Sequence, residues 1–231
     1  MMSSQGGGRW LWRRLHGERA VSTEIVAQIQ DIFRDGFNRN KGWGEDSIRK
    51  RLSNSGVLGL LETRDGLPSG YAIYSSPEEK LDGGFVLWED AICIRRSLQG
   101  KGASRTVDLL KELASAFGRE FAWFGGVTQN PAVYKRYARL GRVFPVDEPF
   151  ASNDGKQLLE FLYKNVPQVK DRSEKLDDAS GAFKGIYSGR LGQYEVGMPG
   201  AEAFEEYLRR QNVNREAGDA VLLVSKLRAS Q

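Results

Sequence analysis

Gln99-Gly100-Lys101-Gly102 stands where an apolar run, FVLWEDAICI (85–94), gives way to an amphipathic one, TVDLLKELASAF (106–117). Two glycines this close weaken a helix or a strand. They suit a turn, or a loop whose backbone presses against a ligand. At the opening of a helix, the amides of such a turn converge and the macrodipole adds partial positive charge, which makes an anion site. Lys101, Arg95, Arg96 and Arg105 bring further positive charge to the same place. The chemistry is that of a phosphate or pyrophosphate cradle. The spacing is neither a Walker loop nor a dinucleotide fingerprint, and a plain strand–helix turn would carry the same glycines.

The remaining chemical inventory is narrow. The 231 residues include one cysteine, Cys93, and one histidine, His16. No internal disulfide can form, and no metal site or histidine-based triad is expected. Any reaction must therefore use carboxylates, tyrosine, lysine or backbone groups. Such groups stand close to the loop as Glu89 and Asp90. They recur as Tyr134 and Tyr137 in NPAVYKRYARLG (130–141), which opens on Asn130 and closes on Gly141.

Periodicity supplies the elements that must carry these groups. VSTEIVAQIQDIFRDGFN (21–38) is a helix capped by Ser22 or Thr23, with Ile25, Ile29, Ile32 and Phe33 on its apolar face. EDSIRKRLSNSG (45–56) is a shorter helix closed by Gly56. Residues 57–76 read as two strands around a turn with Asp65, Gly66, Pro68 and Gly70. GGFVLWEDAICIRR (83–96) is a further strand, apolar enough to be central. Ala103, Val107, Leu110, Leu113, Ala114 and Phe117 then recur at helical spacing up to Gly118. FAWFGGVT (121–128) is the next strand, and 130–141 the next helix, with Pro131 in its first turn. This alternation argues for an α/β sheet with parallel pairing. Beyond Arg142, residues 155–166 and 201–213 read as helices, 167–185 as a loop or linker, and GDAVLLVSKL (218–227) as a last strand that rejoins the main sheet.

Strand, Gln-Gly-Lys-Gly loop, helix, strand and the helix at 130–141, in that order, resemble the GNAT superfamily of acyl-CoA-dependent N-acyltransferases. In that family a helix of the form Asn-x-x-Ala-x-x-x-Tyr-x-x-x-Gly follows the fifth strand. Asn130, Tyr137 and Gly141 fall on that spacing, with Val133 at the usual small residue. The likeness spans about residues 24–141, and its specific part is 88–141. The family's loop, Gln/Arg-x-x-Gly-x-Gly/Ala, fits as Gln99, Gly102 and Ser104, or two residues earlier from Ser97 with Gly100 and Gly102.

The resemblance implies an α/β (α+β) fold: a mixed, mostly antiparallel sheet, a parallel split between the fourth and fifth strands, flanking helices and here a C-terminal elaboration. It implies acetyl-CoA as co-substrate, without a metal. The backbone of Ile92, Cys93 and Ile94 would bond the pantetheine arm like an added strand. Gln99, Gly100, Lys101, Gly102, Ala103 and Ser104 would hold the pyrophosphate, and Asn130 would touch the CoA arm. Tyr137 would be the general acid for the departing thiolate. Asp90 or Glu89 would be the base; they face opposite sides of a strand, and Asp90 shares its side with Ile92 and Ile94. A water chain can replace either. The residues alone also allow Tyr137 and Tyr134 to be packed rings, Asn130 a helix cap, Cys93 a buried small hydrophobe, and Glu89 and Asp90 a solvated strand end. Trp43, Trp88 and Trp123 can be core or acceptor-pocket walls.

The expected boundaries are an N-terminal tail or short helix (1–20) that docks Trp10, Leu11 and Leu15, a GNAT-like core (21–166), and a completing segment (167–231). A net charge of +4 suits a polyanionic ligand and is too mild to imply nucleic acid without a clustered stripe. No apolar run approaches the ~18 residues of a membrane span. The expected compartment is the cytoplasm; the arginine-rich, acid-poor start also fits organellar import. In this fold the acceptor site would use the segment around Trp43, whose GWGED stretch suits a small-molecule amine. A protein or peptide N-acetyltransferase, a non-catalytic acyl-CoA-binding or scaffold module, and a homodimer are the other readings.

Overall fold

A computed structural model describes residues 8–15, 21–39, 43–100, 106–192 and 197–228. It divides into two compact units. Unit one takes Met1–Ser76 and Glu89–Arg119, and unit two takes Pro77–Trp88 and Glu120–Gln231.

Unit one begins with a departure from expectation. Arg9–Arg14, expected as a tail or short helix, is strand β1. Trp10 and Trp12 lie two residues apart, so a strand puts both on one face, where their rings stack 5.3 Å apart. β1 runs antiparallel to β2 (Val57–Glu62), with Trp12 opposite Gly59. A Cβ at Gly59 would lie 2.2 Å from the Trp12 ring, so glycine lets the indole lie across the strand. β2 pairs in turn with β3 (Pro68–Ser75), and β3 precedes β4 (Phe85–Ile94) in the strand order.

Helix α1 (Thr23–Gly36) starts where Ser22 accepts the Ile25 amide at 3.3 Å, and α2 (Glu45–Ser53) follows. Ile25, Ile29, Ile32 and Phe33 of α1, with Ile48 and Leu52 of α2, bury against Leu58, Leu60, Tyr71, Ile73 and Cys93 to form the unit's core. α3 (Thr106–Phe117) ends at Gly118, whose φ of +67° suits a residue without Cβ.

In unit two, β4 contributes residues 85–88 and runs parallel to its neighbour β5 (Phe121–Thr128). The last strand, β9 (Ala220–Leu227), pairs antiparallel with β5, as its apolar sequence requires. On its other side β9 meets β6 (Gly141–Phe144) and β8 (Ala182–Phe183), and β7 (Leu176–Asp177) closes the order. The stretch 167–185, expected as a loop, thus carries these two short strands and the one-turn helix α6 (Pro167–Lys170). Helices α4 (Pro131–Leu140), α5 (Asn153–Asn165) and α7 (Glu202–Arg210) complete the unit. Trp88 and Trp123 are core residues here, packed with Val86, Phe144, Phe150, Leu158, Leu162, Leu222 and Val224. The class is the one expected: mixed α/β, mostly antiparallel, with a parallel β4–β5 pair.

Candidate functional site

The chemical residues fall into two groups, one in each unit. In unit one, β4 runs through Glu89, Asp90, Ile92, Cys93 and Ile94 into a one-turn 3-10 helix at Arg96–Leu98 and then Gln99 and Gly100. Gly100 has φ +75°, so the turn needs glycine for its backbone, and no atom of the described residues lies within 4 Å of where a Cβ would stand. Lys101, Gly102, Ala103 and Ser104, named as further members of the cradle, lie outside the described residues.

Two expectations for this turn change. The Gln99 amide N–H is bound to Arg96 O at 3.2 Å, so that N–H does not face a ligand. Its side chain acts instead: Nε2 donates to Ile94 O at 2.7 Å and Gly36 O at 2.9 Å, tying the turn to the ends of β4 and α1. Arg95 and Arg96 are likewise engaged with α1. Arg95 pairs with Asp31, and Arg96 donates its amide to Asp35 at 2.9 Å and its guanidinium to Asn38 at 3.1 Å. Asp31 and Asp35, one helical turn apart, were the available signal for this clasp.

Cys93 is buried; Gly36 makes room for it, since a Cβ there would lie 2.4 Å from Sγ. Burial, then the nearby Asp35 carboxylate, pushes its thiol well above the usual range. It is a packed side chain, while its neighbours Ile92 and Ile94 are half-buried.

Neither acid is a solvated strand end. Glu89 is buried and accepts the Tyr74 phenol at 3.1 Å. The Asp90 carboxyl is reached by two hydroxyls, Ser55 Oγ at 3.0 Å from Oδ2 and Ser75. Its Oδ1 is buried and has no hydrogen-bond partner among the described residues. Arg51 Nη1 donates to the Asp90 main-chain oxygen at 2.8 Å, and its guanidinium lies 4.6 Å from the ring of Trp43. Burial raises the Asp90 carboxyl to about 7, with Ser75, Ser55 and Arg51 opposing and the Glu89 charge adding to the rise. Trp43 itself stacks on Phe33 at 5.2 Å and stays half-buried.

In unit two, Asn130 caps α4 by accepting the Ala132 amide at 2.9 Å, and its own N–H donates to Thr128 Oγ1 at 2.9 Å. Tyr137, 1% exposed, stacks on Phe124 at 4.6 Å, with the Arg136 guanidinium 5.6 Å from its ring. Tyr134 stacks on Phe204 at 5.1 Å. Gly141 permits contact with β9: a Cβ there would lie 1.8 Å from Lys226 O. Gln129, which the residue pattern did not single out, is buried between three segments. Nε2 donates to Asp219 O at 2.7 Å and Arg215 O at 3.3 Å, and Oε1 accepts the Leu191 amide at 2.8 Å. Among the described residues no group of His, Cys, Asp and Glu could hold a metal ion, and no helix is long and apolar enough to cross a membrane.

No protein-family model and no curated protein matches the chain. Among solved structures, that of a candidate phosphinothricin N-acetyltransferase aligns with a TM-score of 0.50 at 12% identity, over 96% of this chain and 100% of that one. The fold is the GNAT fold. Other solved structures are similar at TM-scores below that. The ribosomal-protein-S18-alanine N-acetyltransferase from Escherichia coli scores 0.45 at 12% identity, over 96% of this chain and 97% of that one. The IAA acetyltransferase from Bacillus cereus scores 0.44 at 12% identity, over 95% and 100%. On the GNAT fold, the helix at Asn130 and Tyr137 is α4, directly after β5, which is where the motif spacing put it.

Proposed function

We propose that the protein is an N-acyltransferase that moves an acetyl or other short acyl group from acyl-CoA to a primary amine of a small molecule. The observation that carries this reading is the order of parts on the GNAT fold: β4, the Gly100 turn and α3, then β5 and α4 with Asn130 at its cap and Tyr137 on the same helix. What supports an anion at this turn is Gly100, whose left-handed backbone carries no side chain and has no atom of the described residues within 4 Å of a Cβ position.

As substrate, acyl-CoA supplies a thioester, whose carbonyl carbon is open to direct attack by an amine. The nitrogen–carbon bond forms, the carbon–sulfur bond breaks, and an amide and a thiol result. Asp90, as carboxylate, takes the proton the amine must lose. A carboxyl that titrates at about 7 is populated in both forms near neutrality, which suits proton transfer. Tyr137 gives its phenolic proton to the departing thiolate, and solvent returns both groups to their starting states. Main-chain groups of Ile92, Cys93 and Ile94 would hold the pantetheine arm, and the turn from Gly100 onward the pyrophosphate.

Calorimetric titration of acetyl-CoA into the protein tests the reading. Binding in the micromolar range, lost in Gly100→Asp through strained backbone and added negative charge, is expected. With an amine panel, Tyr137→Phe should lower turnover by about 10²- to 10³-fold and leave acyl-CoA affinity unchanged. A folded wild-type protein that binds no acetyl-CoA would sink the enzyme.

A further inference from the structure

We propose that Ser55 and Ser75 are positioning residues that hold the Asp90 carboxyl in both of its protonation states, with the Ser55 hydroxyl turning from one acceptor to another as the proton comes and goes. The inference rests on the reading of Asp90 as the base of acyl transfer.

Ser55 Oγ lies 2.7 Å from Arg51 O and 3.0 Å from Asp90 Oδ2. A hydroxyl has one proton and cannot donate to both at once. With Asp90 ionised, the Ser55 proton serves Oδ2, where a hydrogen bond to a charge is worth most. With Asp90 protonated at Oδ2, the carboxyl O–H donates to Ser55 Oγ, and the Ser55 proton turns to the Arg51 carbonyl. Neither state strands a buried donor. Ser75, from β3, adds a second hydroxyl to the carboxyl. Oδ1 has no partner among the described residues, so the charge depends on few bonds in a buried place.

The charged groups around the carboxyl pull in opposite directions. From α2, the Arg51 guanidinium favours ionisation. Beside it on β4, Glu89 opposes ionisation, and Glu89 is itself held by the Tyr74 phenol from β3. Between such neighbours the two serine hydroxyls oppose the upward push of burial and so move the point where the proton balances.

Carbon-13 NMR of the full chain, labelled at aspartate, reads this directly. The Asp90 carboxyl is assigned by its loss in Asp90→Asn and followed with pH. The wild-type midpoint is expected near 7. Ser55→Ala and Ser75→Ala should each move it up by about one pH unit, and Glu89→Gln should move it down. A wild-type midpoint in the ordinary carboxylate range overturns the proposal, as does a midpoint that neither serine variant moves. The pH profile of acyl transfer separates the two readings. If its acid limb follows the NMR midpoint across the variants, Asp90 is the base as well. If the limb stays fixed while the midpoint moves, the serines act as argued and the base lies elsewhere.

Discussion

Asp90 carries a cost that depends on pH. Burial raises its carboxyl to about 7, while in an unfolded chain the same group titrates at about 3.9. Between those values the folded protein binds a proton that the unfolded chain has released. Stability from this group is therefore fully present below about pH 4 and is lost as pH rises through 7. Asp90→Asn removes that dependence. Its urea midpoint should gain on wild type between pH 5 and pH 8, to a ceiling of about 4 kcal/mol. An unchanging difference across that range would mean a solvated carboxyl. Asn130 and Tyr137 stood out in the sequence because they fall on a motif spacing, and Asp90 because it shares a strand face with Ile92 and Ile94. Ser55, Ser75 and Arg51 did not: they reach Asp90 from the end of α2, the loop after it and β3, and spacing along the chain encodes no distance between such segments. The Gln99 side chain hid in the same way, since its partners Gly36 and Ile94 meet only after α1 packs on β4.

Elements show where local pattern sufficed. β5 at Phe121–Thr128 and α4 at Pro131–Leu140 match their apolar periodicity and their capping residues almost residue for residue. β1 was missed because six residues with interleaved arginines resemble a polar tail, and only pairing with β2 and the Trp10–Trp12 stack reveal the strand. β7 and β8 are two residues each, below any periodic signal. Gly141 looked like a helix stop and is also a contact requirement, with its φ of 171° in extended backbone open to any residue. Gly141→Ala would push a methyl into the Lys226 carbonyl. The loss expected is about 3 kcal/mol, read as a lowered urea midpoint, with Gly83→Ala as a comparison for left-handed strain without crowding.

At the scale of the whole molecule, the mixed, mostly antiparallel class followed from the resemblance to the GNAT superfamily, since the alternation of elements alone argued for parallel pairing, and the division into two cores followed from neither. One strand serves both: Val86 and Trp88 of β4 belong to the core of unit two, and Cys93 to the core of unit one. Unit two also depends on long-range ties that no motif announces. Gln129→Ala would leave the Leu191 amide and the carbonyls of Arg215 and Asp219 without their buried partner, at a cost of about 3 kcal/mol. Gln129→Glu should be at least as damaging, because a carboxylate would face two carbonyl oxygens; thermal unfolding of the two variants checks this ordering. The shared strand also bears on how the chain comes off a ribosome. Every residue of unit one has been made once Arg119 appears, and its core can close. Val86 and Trp88 emerge earlier, yet their core partners Leu222 and Val224 lie far behind them in the chain. A nascent chain of intermediate length therefore displays Trp88 without part of its core, a species open to aggregation.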